Sequence, residues 1–206
     1  GSAGTTGLRI VQRLSQRKDI QLLSIPEEKR KDPTARKEAI HAADIAVLCL
    51  PDAAAKESVA LAEGSKARIL DTSTAHRVQP GWAYGFAELS AAHRNAIING
   101  SRVAVPGCHA SGFVSLVTPL TMAGLLQKDA ALSCFSLTGY SGGGKKMIAE
   151  YEDAERDMLL DAPRQYALTQ MHKHLPETQH VCGLAHAPVF CPIVGSFYSG
   201  MEDTVP

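Results

Sequence analysis

The run Asp44-Ile-Ala-Val-Leu-Cys-Leu50 constrains the fold most, because it is strand-length and apolar without alternation. Such a strand shows apolar side chains on both faces, and both are buried only in a sheet covered on each side, as parallel sheets are. Its surroundings repeat the theme. Leu8 to Leu14 reads as a helix, Ile20-Gln-Leu-Leu-Ser24 as a short buried strand, and Ala35 to Ala43 as a helix. After the apolar run, Asp52 is placed to cap a helix from Ala53 to Glu63 that stops at Gly64, and Ala67-Arg-Ile-Leu-Asp71 is the next strand. Strands alternating with helices of about ten residues predict right-handed βαβ units and a parallel sheet.

Beyond residue 107 the texture changes. A helix from Ala110 to about Leu126, kinked at Pro119, leads to a strand over Ala131 to Thr138. An amphipathic helix over Lys145 to Leu160 follows, then strand-like runs at Val181 to Leu184 and Ala187 to Phe197. This is an α+β pattern, so the expected domains are residues 1–107 and 108–206. The chain opens inside a glycine motif and stops in mid-phrase at Glu202-Asp-Thr-Val-Pro206. A strand before Gly1 and a tail after Pro206 are therefore expected, leaving both domains incomplete.

Three glycines at even spacing, Gly1-Ser-Ala-Gly-Thr-Thr-Gly7, stand directly before the first helix. Glycines there permit a tight turn, close approach of a pyrophosphate and close helix-on-strand packing, although the usual spacing is G-x-G-x-x-G. An acidic residue at the tip of the second strand would favour NAD through the ribose 2′-hydroxyl. This chain has Ser24 there, with Lys29 and Arg30 nearby. A hydroxyl with cationic neighbours suits a 2′-phosphate, so NADP is expected over NAD; an ordinary solvated charge cluster is the alternative.

In Val103-Ala-Val-Pro-Gly-Cys-His-Ala-Ser-Gly112, Cys108 follows an extended run and stands at the mouth of the predicted helix. Thiolates are the nucleophilic form, and a helix N-terminus favours them through its unpaired amides and dipole. Gly107 on one side, and Ala110, Ser111 and Gly112 on the other, keep the sulfur accessible. The other reading of any cysteine is a small buried hydrophobe.

Gly139-Tyr-Ser-Gly-Gly-Gly-Lys145 begins like a nucleotide phosphate loop but puts Lys146 where a hydroxyl should hold Mg²⁺. A nest of backbone amides touching a substrate anion fits better, or a bare flexible turn. In Met171-His-Lys-His-Leu-Pro-Glu177 two imidazoles lie two residues apart and would share one side of an extended segment. No C-x-x-C or H-x-x-x-H pairing accompanies them, so no metal is expected. An imidazole near Cys108 would instead move the protons of acyl transfer.

Lys plus Arg number 21 and Asp plus Glu 21, so net charge offers no attraction to nucleic acid or an anionic membrane. No apolar run approaches the roughly 18 to 20 residues that span a bilayer. Five cysteines, unpaired in spacing, fit a reducing compartment, and a cytoplasmic location is expected.

Taken together these segments resemble the N-acetyl-γ-glutamyl-phosphate reductase family of arginine biosynthesis, in its shorter variant. The resemblance rests on GSAGTTG (Gly1–Gly7), LCLPD (Leu48–Asp52), LDTSTAHR (Leu70–Arg77), VPGCHASG (Val105–Gly112), GYSGGGKK (Gly139–Lys146), HKHLPE (His172–Glu177) and FCPIVGSFYSGM (Phe190–Met201), in order along nearly the whole chain. It implies a Rossmann-like parallel-sheet NADP domain and a second α+β catalytic domain, with Cys108 as nucleophile. His172 and His174 become the acid–base and substrate-contact pair, with His174 favoured as the acid–base. Gly1, Gly4, Thr5, Thr6 and Gly7 would hold the NADP pyrophosphate, beside Ser24 read above as the 2′-phosphate contact, while Arg77, Ser141 and Gly142 would contact the substrate. The implied reaction is reduction of an acyl phosphate to a semialdehyde through a thioester by a homo-oligomer. An aspartate-semialdehyde dehydrogenase-like enzyme and a non-catalytic NADP-binding module are the competing readings.

Overall fold

The computed structural model describes residues 1–206, which divide into two compact units, Gly1–Pro106 and Gly107–Pro206. The first contains α1 (Thr5–Leu14), α2 (Pro33–Ala42), β1 (Ile45–Leu48), α3 (Asp52–Leu61), β2 (Arg68–Asp71), β3 (Ala83–Tyr84), α4 (Ala91–Asn99) and β4 (Arg102–Ala104). Its sheet runs β1-β2-β4-β3 with every neighbouring pair parallel.

Local chemistry sets the helix starts. Pro33 opens α2 where its missing N–H costs nothing, and the Asp32 carboxylate accepts from Thr34 N at 2.8 Å. The Ser90 hydroxyl does the same for α4, accepting from His93 N. Ile40, Leu48, Ala62, Ala67 and Ile69 form the core between α2, α3 and the sheet, with Trp82 packed against it. Arg68 on β2 reaches the carbonyls of Ile97, Ile98 and Gly100, placing a cation at the negative end of α4.

Two expectations fail here. Ile20 to Ser24 joins no sheet, and Leu22 and Leu23 are exposed. Only a ladder makes a strand, and β1 pairs with β2 alone, leaving this run without a neighbour. Asp52 is the first residue of α3 rather than its cap; its carboxylate instead accepts from the Thr74 amide at 3.0 Å and from the Thr74 hydroxyl. That ties the start of α3 to the loop after β2.

The second unit contains α5 (Cys108–Met122), β5 (Ser133–Gly139), α6 (Gly144–Glu152), β6 (Arg164–Gln165), α7 (Leu175–Cys182), β7 (Val189–Gly195) and β8 (Met201–Thr204). Its sheet is mixed, in the order β6-β7-β5-β8, with β5 and β7 parallel at the centre and both edge strands antiparallel. Cys134, Ser136 and Thr138 alternate inward on β5, as do Phe190, Pro192 and Val194 on β7, while Phe135 and Val189 face outward. Helix α5 buries Ala110, Phe113, Val114 and Val117, the i, i+3, i+4, i+7 stripe of a helix face. Burying Phe113 alone contributes about 2–3 kcal/mol.

The helix expected to open at Ala110 opens two residues earlier, at Cys108, and ends at Met122 before Gly124, whose φ is +69°. The helix drawn to Leu160 stops at Glu152; Asp153 is extended and turns its carboxylate to the Glu155 amide, leaving Leu160 in the 3-10 turn Met158–Asp161. Val181 to Leu184 is not a strand but the end of α7, closed by Gly183 in the left-handed region. Strand β8 was not anticipated.

Candidate active site

Helix α5 begins uncapped. Gly107 precedes it, no side chain caps it, and its first turn holds no acidic residue. The Ser111 amide donates to the Gly107 carbonyl at 2.8 Å, so the Cys108, His109 and Ala110 amides have no partner within the helix. The Gly107 amide donates to Glu177 Oε1 at 2.8 Å, and Glu177 is 1% exposed. A buried carboxylate on α7 thus anchors the residue before the sulfur.

Cys108 is the one exposed cysteine of the five. Burial pushes Cys134 up to about 12 and Cys182 up to about 11, and raises Cys49 too, which keeps all three as thiols. Only Cys108 combines solvent access with a helix N-terminus, the setting in which cysteine becomes reactive.

Three imidazoles collect in the same unit, one of them on His109, the residue after Cys108. The rings of His172 and His174 lie 4.7 Å apart, and His109 is 5.7 Å and 5.6 Å from them. The segment is a turn rather than an extended strand: His174 is helical at the start of α7, and its amide donates to His172 Nδ1 at 3.3 Å. The rings are neighbours all the same. Burial first, then the charge of Lys173, pushes His172 down. His109 is pushed down to about 4 by burial, then by His172 and Lys173. Imidazoles held neutral accept protons at neutral pH.

His109, Tyr166, Ser136 and Glu177 were assigned no role from the sequence. His109 contacts Ser136 Oγ through Nδ1 at 2.5 Å and Tyr166 Oη through Nε2 at 2.8 Å. Burial, then Cys108, raises Tyr166 to about 12, so it remains a phenol. The adjacency of His109 to Cys108 was the available signal; Ser136 and Tyr166, 27 and 57 residues further on, gave none.

In the first unit, the glycine opening fits a dinucleotide phosphate group. A Cβ on Gly7 would stand 2.1 Å from the Gly1 carbonyl oxygen, and one on Gly1 would stand 2.0 Å from that of Cys49. The backbone therefore doubles back more tightly than any side chain allows. Helix α1 starts after Gly4 with no side-chain cap and no acidic residue in its first turn, so the amides of Thr5, Thr6 and Gly7 have no partner within the helix.

The remaining predicted residues are differently engaged. Ser24 is exposed and lies outside any strand, and Arg30 pairs with Glu27 at 2.5 Å. Arg77 donates from Nε to the Val105 carbonyl and from Nη2 to that of Thr72, each at 3.0 Å, bracing the segment after β4. The anion nest expected around Ser141 and Gly142 is largely closed. The amides of Gly139, Tyr140 and Ser141 donate to the carbonyls of Gly200, Phe197 and Tyr198, and that of Gly144 to Ser141. No group of three or more His, Cys, Asp or Glu side chains is arranged to hold a metal. No helix is long and apolar enough to cross a membrane.

The semialdehyde dehydrogenase NAD binding domain matches residues 1–97, and the semialdehyde dehydrogenase dimerisation domain matches residues 108–206. A Brucella anthropi protein named N-acetyl-gamma-glutamyl-phosphate reductase is 50% identical over 208 residues, spanning 100% of this chain and 67% of its own length. The chain belongs to the N-acetyl-gamma-glutamyl-phosphate reductase family. Proteins of the same name from Chelativorans sp. and Burkholderia cenocepacia are 51% and 44% identical over the whole chain. The chain spans 66% of the length of each.

Among solved structures, aspartate semialdehyde dehydrogenase II from Vibrio cholerae superposes with a TM-score of 0.68 at 14% identity, over 100% of this chain and 71% of that one. The Candida albicans aspartate semialdehyde dehydrogenase with NADP gives 0.67 at 12%, over 100% and 69%. At these identities the likeness is one of fold, and the fold is the expected one: a Rossmann-like parallel-sheet unit followed by a mixed α/β unit.

Proposed function

We propose that this chain carries the catalytic elements of an NADPH-dependent reductase converting N-acetyl-L-glutamyl 5-phosphate to N-acetyl-L-glutamate 5-semialdehyde and phosphate. The exposed Cys108 thiol at the uncapped start of α5, in the unit that gathers His109, His172 and His174, is the observation that carries this reading. Identity of 44% to 51% with relatives of that name supports the substrate.

An imidazole, His172 or His174, takes the Cys108 proton, and the sulfur anion attacks the acyl-phosphate carbonyl carbon. The C–O bond to phosphate breaks, phosphate leaves with its electron pair, and a thioester remains on Cys108. Helix-start amides around Cys108 are placed to donate to the oxyanion that forms during this exchange. NADPH, when bound, supplies the hydride that reduces the thioester carbonyl. The resulting alkoxide collapses, the C–S bond breaks and the aldehyde departs, while the protonated imidazole returns its proton to the sulfur and restores the Cys108 thiol. Gly1, Gly4, Thr5, Thr6 and Gly7 would hold the cofactor pyrophosphate, the role that the tight backbone and open α1 amides suit.

A homo-oligomer accompanies this reading. The dimerisation domain matched by residues 108–206 supports it, as does the outward sheet face, where Phe135 is 47% and Val189 56% exposed. The second reading, an aspartyl-phosphate substrate, is favoured only by the shared fold. NADPH oxidation assayed at full family length with both acyl phosphates decides between them: turnover of the acetylglutamyl substrate is expected, and turnover of aspartyl phosphate alone overturns the assignment.

A further inference from the structure

A buried polar chain runs from the Cys108 region to the far edge of the second unit's sheet, and the reaction above makes no use of it. Ser136 on β5 and Asp203 on β8 are directly paired across the antiparallel ladder, which puts their side chains on one face about 5 Å apart. The Asp203 carboxylate lies over Gly112 of α5; a Cβ there would fall 1.6 Å from Oδ2. Glycine at 112 therefore makes room for the charge. Burial pushes the Asp203 carboxyl up, and the hydrogen bond from Ser136 pulls it back down. The Cys134 thiol faces the same carboxylate, with Sγ 3.9 Å from Oδ1. Ser136 in turn meets His109 Nδ1 at 2.5 Å, and His109 Nε2 meets Tyr166 Oη at 2.8 Å. Ser136 is fully buried and His109 is 4% exposed, so water does not compete for these partners.

Counting protons gives the chain a direction. A carboxylate only accepts, so the single Ser136 proton goes to Asp203. The Ser136 oxygen must then accept from His109 Nδ1–H. His109 is neutral, held so by burial and by the nearby His172 and Lys173, so its one proton is spent and Nε2 is bare. Tyr166 must donate its only proton to that nitrogen.

We propose that Asp203, acting through Ser136, is a positioning residue that fixes His109 as the Nδ1–H tautomer and thereby turns the Tyr166 hydroxyl proton away from Cys108. A phenol free to donate would hydrogen-bond the sulfur anion and lower its nucleophilicity; a phenol committed to His109 does not. The inference rests on Cys108 being the nucleophile.

Nitrogen-15 NMR of histidine-labelled protein at full family length tests it, with the His109 signals assigned by their loss in His109→Gln. The wild type is expected to show the Nδ1–H tautomer. In Asp203→Asn the amide can donate to Ser136, the chain reverses, and His109 is expected as Nε2–H. Iodoacetamide labelling of Cys108, read on the alkaline plateau where the sulfur is fully ionised, then slows about twofold, the part of one hydrogen bond that is lost as nucleophilicity, and adding Tyr166→Phe restores it. An Nε2–H tautomer in the wild type overturns the proposal, even should Asp203→Asn not fold; so does an unchanged tautomer in a folded Asp203→Asn. Wild-type labelling of Cys108 no faster than a free thiol sinks the nucleophile instead, and leaves the tautomer result standing to be read by itself.

Discussion

Helix α1 begins after Gly4 and helix α5 after Gly107, and neither has a side-chain cap or an acidic residue in its first turn. Helices α2 and α4 close the same position with Asp32 and Ser90. Leaving amides uncapped forgoes about 1 kcal/mol per helix and leaves each start open to an anion. From there the two diverge. Around α1 the chain offers backbone and the hydroxyls of Thr5 and Thr6, folded so tightly that Gly1 and Gly7 admit no side chain. At α5 the first helical residue is a cysteine, and Glu177 holds the residue before it by the amide. The first arrangement suits binding and the second suits covalent chemistry. The difference lies in the residue that follows the glycine.

The largest effect should come from removing the sulfur. Cys108→Ala is expected to reduce turnover by roughly 10⁴-fold or more while NADPH affinity, from fluorescence titration, stays within twofold. Retained turnover would break the contrast between the two helix starts. Gly7→Ala should do the reverse, since its Cβ would meet the Gly1 carbonyl at 2.1 Å. NADPH affinity is expected to fall about 30- to 100-fold, a cost of about 2–3 kcal/mol, with Cys108 alkylation unchanged.

A smaller effect concerns His109. Its folded-state value is about 4 against an ordinary 6.5, so between those values the unfolded chain binds a proton that the folded chain does not. Stability should therefore fall as pH drops through that window, by roughly 3 kcal/mol from this group. Urea titrations at stepped pH should show a flatter profile in His109→Gln; an equally steep one would assign the acid sensitivity elsewhere. The smallest effect is expected at the other glycine loop. Because the amides of Gly139 to Ser141 are engaged by the 197–200 segment, Ser141→Ala should change substrate KM less than threefold.

Elements whose structure follows from their own residues were legible in the sequence. The apolar run at 44–50 yields β1, Gly64 closes the α3 region with φ of +76°, and the spacing of Ala110, Phe113, Val114 and Val117 makes one buried face. Cys108 and the histidine pair were legible for the same reason, since each sits in a local context that shapes its chemistry. Features made by distant partners were not. Ile20 to Ser24 looked like a strand because apolarity is local, whereas a ladder is not. The glycines at 139–144 looked like a nest because nothing in them discloses that residues 197–200 take their amides. Asp203 lies on a strand with no apolar alternation, and its meaning comes from Ser136 and Gly112.

One feature of the first sheet bears on handling. Strand β1 stands at its rim, paired on one side only, with Ile45 56% exposed. An open apolar rim offers its free N–H and C=O groups to any passing extended segment. A lysine placed at Ile45 should therefore weaken such pairing, read as slower growth of light scattering with time.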